Sequence, residues 1–393
     1  MKIVFAPDSF KGSLTAERIC ELLEEKARLI FPGCETLGIP VSDGGEGAVG
    51  VVVSAAKGRY CTAQVHDPMG KKIEAVYGIF HEDRAIIEMA EASGLTLVPE
   101  KERNVRRANT FGTGELIADA LEQGIRRFYI AIGGSATNDG GIGCAAALGA
   151  RFFDEEGAEL SPVPENLIKI KKIDISQMKP SLKEAEFTVM CDVTNPLVGK
   201  TGATYIFGPQ KGASGEDILF LEEGMRNYGK VLCETFGRDF SAVPGAGAAG
   251  GLGAGLLAFA QAELQKGIEC ILSILNFHQL IQDADLIVTG EGRMDHQSVY
   301  GKVPFGVGMA AKKYGIPCAA IVGSMGKGAE ELYACGVDSV ITTVNGVMPI
   351  EEALENAEEL FLNGAERMFR FIRAGMNMKK NIVKDDLKQK KYF

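Results

Sequence analysis

The opening stretch Lys2-Ile3-Val4-Phe5-Ala6-Pro7-Asp8-Ser9-Phe10-Lys11-Gly12-Ser13 decides the fold class. Ile3–Ala6 is a short apolar run, and Pro7-Asp8-Ser9 stops it, which reads as a buried strand. Apolar residues then recur at Ile19, Leu22, Leu23, Ala27 and Ile30, a helical spacing over 15–30. Thr36–Val41 reads as a second strand and Glu46–Lys57 as a second helix. The last third repeats the alternation. Leu286-Ile287-Val288 is a strand, 302–314 a helix stopped by Gly315 and Pro317, and Cys318–Val322 a strand. A helix over 328–335, a strand at Val340–Val344 and a long amphipathic helix over 350–373 follow. Strands alternating with helices predict an α/β fold with a parallel sheet covered on both faces.

The middle of the chain has another texture. Strand candidates at Ile73–Phe80, Ala85–Met89, Phe128–Ile132 and Phe187–Met190 lie between helices and glycine-rich loops. The expected organisation is one domain from 1–62 plus 283–375, a second α/β domain inserted over 63–282, and a basic tail over 376–393.

At 393 residues, length allows about two domains. A net charge of -10 argues against nucleic acid as partner, and no apolar run reaches the roughly 18 residues of a membrane span. The first residues form a strand rather than a signal peptide. The nine cysteines form no CxxC pair and sit in apolar runs, as expected of buried thiols in a reducing, cytoplasmic setting. Glycine is the outlier, with 49 residues. Its clusters imply close backbone approach, to a ligand or to another element.

The chemistry gathers where strands end, which in open parallel sheets is where ligands bind. Asp8, Ser9, Lys11 and Ser13 follow strand one, and Ser42-Asp43-Gly44-Gly45-Glu46 follows strand two. Thr289-Gly290-Glu291-Gly292-Arg293-Met294-Asp295 follows Leu286–Val288. In the middle, Phe128–Ile132 leads into Gly133-Gly134-Ser135-Ala136-Thr137-Asn138-Asp139-Gly140-Gly141, and Phe187–Met190 into Cys191-Asp192-Val193-Thr194-Asn195. Any one of these is an ordinary turn or cap. Together, acids beside glycines suit Mg²⁺ and a phosphate-bearing ligand, hence phosphoryl transfer. Gly199-Lys200-Thr201 lacks the first glycine of a P-loop, so that motif is excluded. Gly245-Ala246-Gly247 opens a GxGxxG run that either cradles phosphate or packs the following helix closely. Lys11 is either a phosphoryl-neutralising group or a solvated loop lysine. Arg293 is either a fork for a substrate carboxylate or an ion pair with Glu291 and Asp295.

The motifs carry a resemblance. Residues 6–14 (APDSFKGSL), 40–47 (PVSDGGEG), 88–95 (EMAEASGL), 112–117 (GTGELI) and 132–141 (IGGSATNDGG) resemble the bacterial type-1 glycerate kinases. So do 191–199 (CDVTNPLVG), 207–213 (FGPQKGA), 244–251 (PGAGAAGG), 289–295 (TGEGRMD) and 301–304 (GKVP), in family order over about 1–375. Ser42 and Ala48 stand where relatives often have Ala and Thr, and Gly12 where some have Glu. None of these removes a candidate catalytic group.

The resemblance implies the two-domain glycerate kinase fold, a flavodoxin-like parallel-sheet domain with a second α/β domain. It implies ATP-dependent phosphorylation of D-glycerate, with Mg²⁺, to 2-phosphoglycerate or 3-phosphoglycerate. On this view Asp192 is the base, with Lys11 and Asp8 as further catalytic groups. Asp8, Asp43, Glu291 and Asp295 hold the metal. Ser9, Ser13, Gly44, Gly45, Gly133, Gly134, Ser135, Thr137, Asn138, Asn195, Gly245, Gly247 and Arg293 bind substrate or phosphate. Small molecules are the expected partners, and a homodimer is compatible. Two rivals are an NAD(P)-dependent hydroxy-acid oxidoreductase and a non-catalytic sugar-acid sensor. The first fits poorly because strand one lacks a following glycine fingerprint, the second because every acidic group is retained.

Overall fold

Apolar runs become strands along the whole chain of this computed structural model, which describes residues 1–389. In order they are β1 (Lys2–Pro7), β2 (Glu35–Gly38), β3 (Arg59–His66), β4 (Lys72–Phe80), β5 (Arg84–Glu88), β6 (Arg127–Ala131) and β7 (Arg151–Phe153). Then come β8 (Lys172–Asp174), β9 (Glu186–Met190), β10 (Glu263–Gln265), β11 (Leu286–Met294), β12 (Cys318–Met325) and β13 (Ser339–Thr342). The chain divides into two compact units, Met1–Asp43 with Leu272–Phe393, and Gly44–Ile271.

The first unit holds a five-stranded sheet in the order β13-β12-β11-β1-β2, every neighbour parallel. Renumbered within the unit, this is the 2-1-3-4-5 order of flavodoxin-like sheets. Thr15 caps the helix Ala16–Ile30 by accepting from Arg18 N. That helix buries Ile19, Leu22, Leu23 and Ala27 against Ile3 and Phe5 of β1. The long helix Ala357–Gln389 adds Phe361, Ala365, Met368 and Phe369 to the same core, with Phe369 edge-on to Phe5 and Phe31. The tail expected over 376–393 continues this helix to Gln389, and its last four residues lie outside the described residues.

β11 and β12 are longer than the apolar runs predict. Thr289–Met294, read as loop, remains in the ladder, with Arg293 paired to Ser324 and Met294 to Met325. Glycine explains the extension: a Cβ on Gly290 would lie 2.1 Å from Ile321 O, and one on Gly323 would lie 2.4 Å from Gly292 O. The two strands approach more closely than side-chain-bearing residues would permit.

The second unit holds a six-stranded mixed sheet, β10-β9-β6-β5-β4-β3, parallel from β10 to β5 and antiparallel beyond. Phe128 of β6 stacks on Phe187 of β9 at 4.6 Å. The helix Ala48–Ala55, expected with the first sheet, packs here instead. Its Val49 and Val53 lie over Gly78 of β4, whose missing side chain makes the space. A further core gathers around the helix Gly215–Phe236, which starts with a Ser214–Asp217 capping box and ends on left-handed Gly237. All nine cysteines are free thiols, and burial pushes Cys270 and Cys318 up to about 12.

Candidate active site

In the first unit β1 delivers Asp8 just past its carboxyl end. Asp8 N donates to Gly290 O at 2.8 Å, tying it to β11. Asp8 Oδ1 accepts from Ser9 N at 2.7 Å. The chain then turns tightly. Ser13 Oγ donates to Phe10 O at 3.0 Å, so this hydroxyl serves the turn, and Gly12 takes a φ of +78° that favours glycine. Lys11 is exposed on the turn. Burial raises the Asp8 carboxyl to about 7, with Asp43 the next cause and Glu291 a further one, while Ser9 N and Lys11 pull it down. Asp8, Asp43, Glu291 and Lys11 therefore share one electrostatic neighbourhood.

This has a measurable consequence. An aspartate whose folded pKa lies above its unfolded value contributes stability at low pH that is lost as pH rises through about 7. Asp8→Asn removes the charge and its cost. The variant is expected to be more stable than the parent by on the order of 2–4 kcal/mol at pH 8, and by clearly less at pH 5. Calorimetric melting at both pH values checks this; an equal gain at each, or a loss at pH 8, contradicts it.

Glu291 lies deeper. Ser298 Oγ donates to its Oε1 and Lys302 Nζ stands 3.5 Å from its Oε2. Burial raises its pKa against these partners. Asp295 caps the short helix His296–Val299 by accepting from Gln297 N at 2.9 Å, the main reason its pKa is lowered. Its other oxygen stands 3.3 Å from Nε of Arg293, which is 71% exposed. Arg293 thus makes an ion pair and still faces solvent.

Magnesium is usually held by one or two carboxylates plus phosphate oxygens and water. A four-carboxylate shell from Asp8, Asp43, Glu291 and Asp295 does not fit. Glu291 and Asp295 have both oxygens committed, and among the described residues no group of three His, Cys, Asp or Glu is placed to hold a metal ion. Asp8, just past the end of β1 and coupled electrostatically to Asp43, is suited to face a cation carried by a ligand.

In the second unit the sites gather at the carboxyl ends of β6 and β9. Gly133 and Gly134 are exposed after β6, and Ser135 is half-buried beside them. Gly45 Cα lies 3.8 Å from where a Gly133 Cβ would stand. Gly44, at φ +85°, lies against Met190 of β9 and Gly267. Asp192, exposed past β9, accepts through Oδ1 from Gly267 N at 3.0 Å, capping the helix Gly267–Ile274. Gly44, Gly45, Gly133 and the β9 end are thus neighbours, with Asp192 joined to them through Gly267.

Asn195, Gly245 and Gly247 are engaged with the chain itself. Asn195 Nδ2 donates to Thr201 O at 2.7 Å, and its carbonyl accepts from Gly247 N. A Cβ on Gly247 would lie 2.1 Å from Pro196 O, and one on Gly245 3.1 Å from Cys191 Sγ. Close packing accounts for both glycines. Thr137 and Asn138 are fully buried, Asn138 donating to Thr204 Oγ1, while Thr137 Oγ1 and Asn138 Oδ1 have no hydrogen-bond partner among the described residues.

Three groups received no role from the sequence. Asp139 is fully buried and accepts from Thr110 N, Thr110 Oγ1, Gly141 N and Gly143 N. Glu88 accepts from Gly47 N and Val49 N, holding the start of the helix Ala48–Ala55. Lys211 is buried, with Nζ on Ser135 Oγ and Thr137 O, and burial lowers its pKa to about 7 against the pull of Asp139. All three lie within quoted motif blocks, Asp139 in 132–141, Glu88 in 88–95 and Lys211 in 207–213.

A model of the glycerate kinase family matches residues 3–373. The glycerate kinase of Bacillus subtilis is 44% identical, over 97% of this chain and 99% of its own. The glycerate 2-kinase of Escherichia coli is also 44% identical, over 96% and 99%. A crystal structure from Salmonella typhimurium LT2, described as a glycerate kinase 2, superposes with a TM-score of 0.87 at 42% identity, covering 96% of this chain and 99% of that one.

Proposed function

The chain belongs to the glycerate kinase family, and from that premise we propose that it transfers the γ-phosphoryl group of ATP to D-glycerate, giving 2-phosphoglycerate. ATP enters as its magnesium complex, so the metal arrives with the nucleotide. The observation that carries this reading is the family match over residues 3–373, with Asp8 held beyond the carboxyl end of β1 by its bond to Gly290 O. Acids that repel one another there are relieved by a cation-bearing phosphate ligand.

Phosphoryl transfer draws its rate from positioning and charge neutralisation. Asp192 accepts the proton of the attacking hydroxyl. Lys11 meets charge developing on the transferred group. Ser9 and Ser135, with the backbone at Gly44–Gly45 and Gly133–Gly134, bind substrate or phosphate, the buried Thr137 and Asn138 support that turn from the core, and Arg293 holds the glycerate carboxylate. The product would carry sugar-acid and glyoxylate breakdown into glycolysis, in the cytoplasm. Among the described residues no helix is long and apolar enough to cross a membrane.

A coupled assay for ADP release with D-glycerate tests the reading, and no release above the glycerate-free blank overturns it. Phosphorus NMR of the product tests the position. A phosphate on C2 couples to one proton and gives a doublet, whereas one on C3 couples to two and gives a triplet.

Lys11→Ala is expected to lower kcat by roughly tenfold or more while KM for ATP stays within about threefold, because a group that meets transition-state charge adds little to ground-state binding. Steady-state kinetics check this. A raised KM with kcat preserved would make Lys11 a plain binding contact.

A further inference from the structure

Lys211 is 1% exposed, on the short turn Pro209–Lys211. Its Nζ donates to Ser135 Oγ at 2.8 Å and to Thr137 O at 2.6 Å. Asp139, the acid whose charge pulls on it, already accepts four hydrogen bonds from Thr110, Gly141 and Gly143. Burying an ammonium without a directly bonded carboxylate is costly, and an apolar residue of similar volume would stabilise the fold better. The charge is thus poorly explained by stability.

Its hydrogen bonds suggest what it does. An ammonium has donors and no acceptor. In its protonated form Lys211 donates to Ser135 Oγ, which leaves the hydroxyl proton of Ser135 pointing elsewhere. Ser135 is half-buried and directly follows the exposed Gly133 and Gly134, at the carboxyl end of β6. That is where ligands meet an α/β sheet.

We propose that Lys211 is a positioning residue that, from behind the Gly133–Asn138 turn, fixes Ser135 as a hydrogen-bond donor to an anionic oxygen of the substrates. The anion is a carboxylate if it comes from glycerate and a phosphate if it comes from ATP. The inference rests on the kinase reading above and adds a residue to it. Lys211 touches no ligand itself; it acts through Ser135 and lends the turn positive charge.

The test uses the full chain and three variants, Lys211→Met, Ser135→Ala and the double variant, with D-glycerate and ATP varied separately. Each single variant is expected to raise KM for one of the two substrates at least about tenfold, with a melting temperature no lower than the parent's for Lys211→Met. A rise for glycerate identifies the carboxylate, and a rise for ATP the phosphate. The double variant is expected to be no worse than the worse single one, because one residue works through the other; a merely structural lysine would give additive losses. Both KM values within twofold in both single variants, or additive losses in the double, overturn the inference. If Lys211→Met does not fold, Ser135→Ala decides alone, and unchanged KM values in it overturn the inference. Turnover by the parent chain separates the two readings. An active parent with unaffected variants removes only this role for Lys211, whereas an inactive parent removes the kinase reading and this inference together.

Discussion

Asp192→Asn is expected to lower kcat by about 100-fold or more, the usual scale for loss of a general base, with the circular dichroism spectrum unchanged. The substitution isolates chemistry from architecture. Asp192 Oδ1 accepts from Gly267 N at 3.0 Å and so caps the helix Gly267–Ile274. Asparagine has the same shape and keeps a carbonyl oxygen for that bond, and it ranks with aspartate as a cap. What it lacks is the charge and the ability to take a proton. Asp192→Ala would lose the cap as well, at about 1 kcal/mol, and would confuse the two roles. Should Asp192→Asn retain kcat within threefold, Asp192 is a cap and the base lies elsewhere.

Gly250→Ala is expected to be strongly destabilising, lowering the melting temperature by about 10 °C or more. Gly250 has a φ of +67°, between Ala249 at +53° and Gly251 at +92°. An added Cβ would lie 1.9 Å from Thr137 O and 2.7 Å from Asn138 Cα, both backbone atoms that cannot rotate aside. Gly140 N also donates to Gly250 O, so the two segments are clamped together. Clash and left-handed strain together reach the exceptional range above about 4 kcal/mol, and a unit of this size loses about 2–4 °C per kcal/mol. Gly157→Ala is the control: its φ is +81° but nothing lies within 4 Å of the added carbon. If the two variants melt within about 3 °C of each other, steric crowding at Gly250 is not what the geometry implies.

Much of the architecture was legible because burial leaves a local trace. Ile3–Ala6, Phe128–Ile132 and Phe187–Met190 are apolar runs bounded by turn residues, and each forms a strand, the second up to Ala131. Thr289–Met294 was not legible as strand, since glycine and acid residues read locally as loop. Its ladder to β12 depends on glycines facing one another across two strands, which no single segment reveals. The helix Ala48–Ala55 was legible as a helix but not as a partner of β4, because the space for it is the missing side chain of Gly78. At the candidate site the acids at strand ends were legible by type and position. The burial of Lys211 was not. Lysine in Pro-Gln-Lys-Gly reads as solvated, and only the surrounding tertiary structure removes it from water.

The central strand of the first sheet has an unusual wait during synthesis. β1 sits between β2 and β11, and its register joins Ile3 to Leu286. At the ~5–20 residues per second of a translating ribosome, β1 and β2 are made tens of seconds before β11 exists. Through that interval β1 has an unpaired edge of the kind that invites other chains, and the intervening residues Gly44–Ile271 have time to fold as a unit of their own. Slowing translation within residues 44–271 would lengthen the exposure of that edge and is expected to reduce the soluble yield.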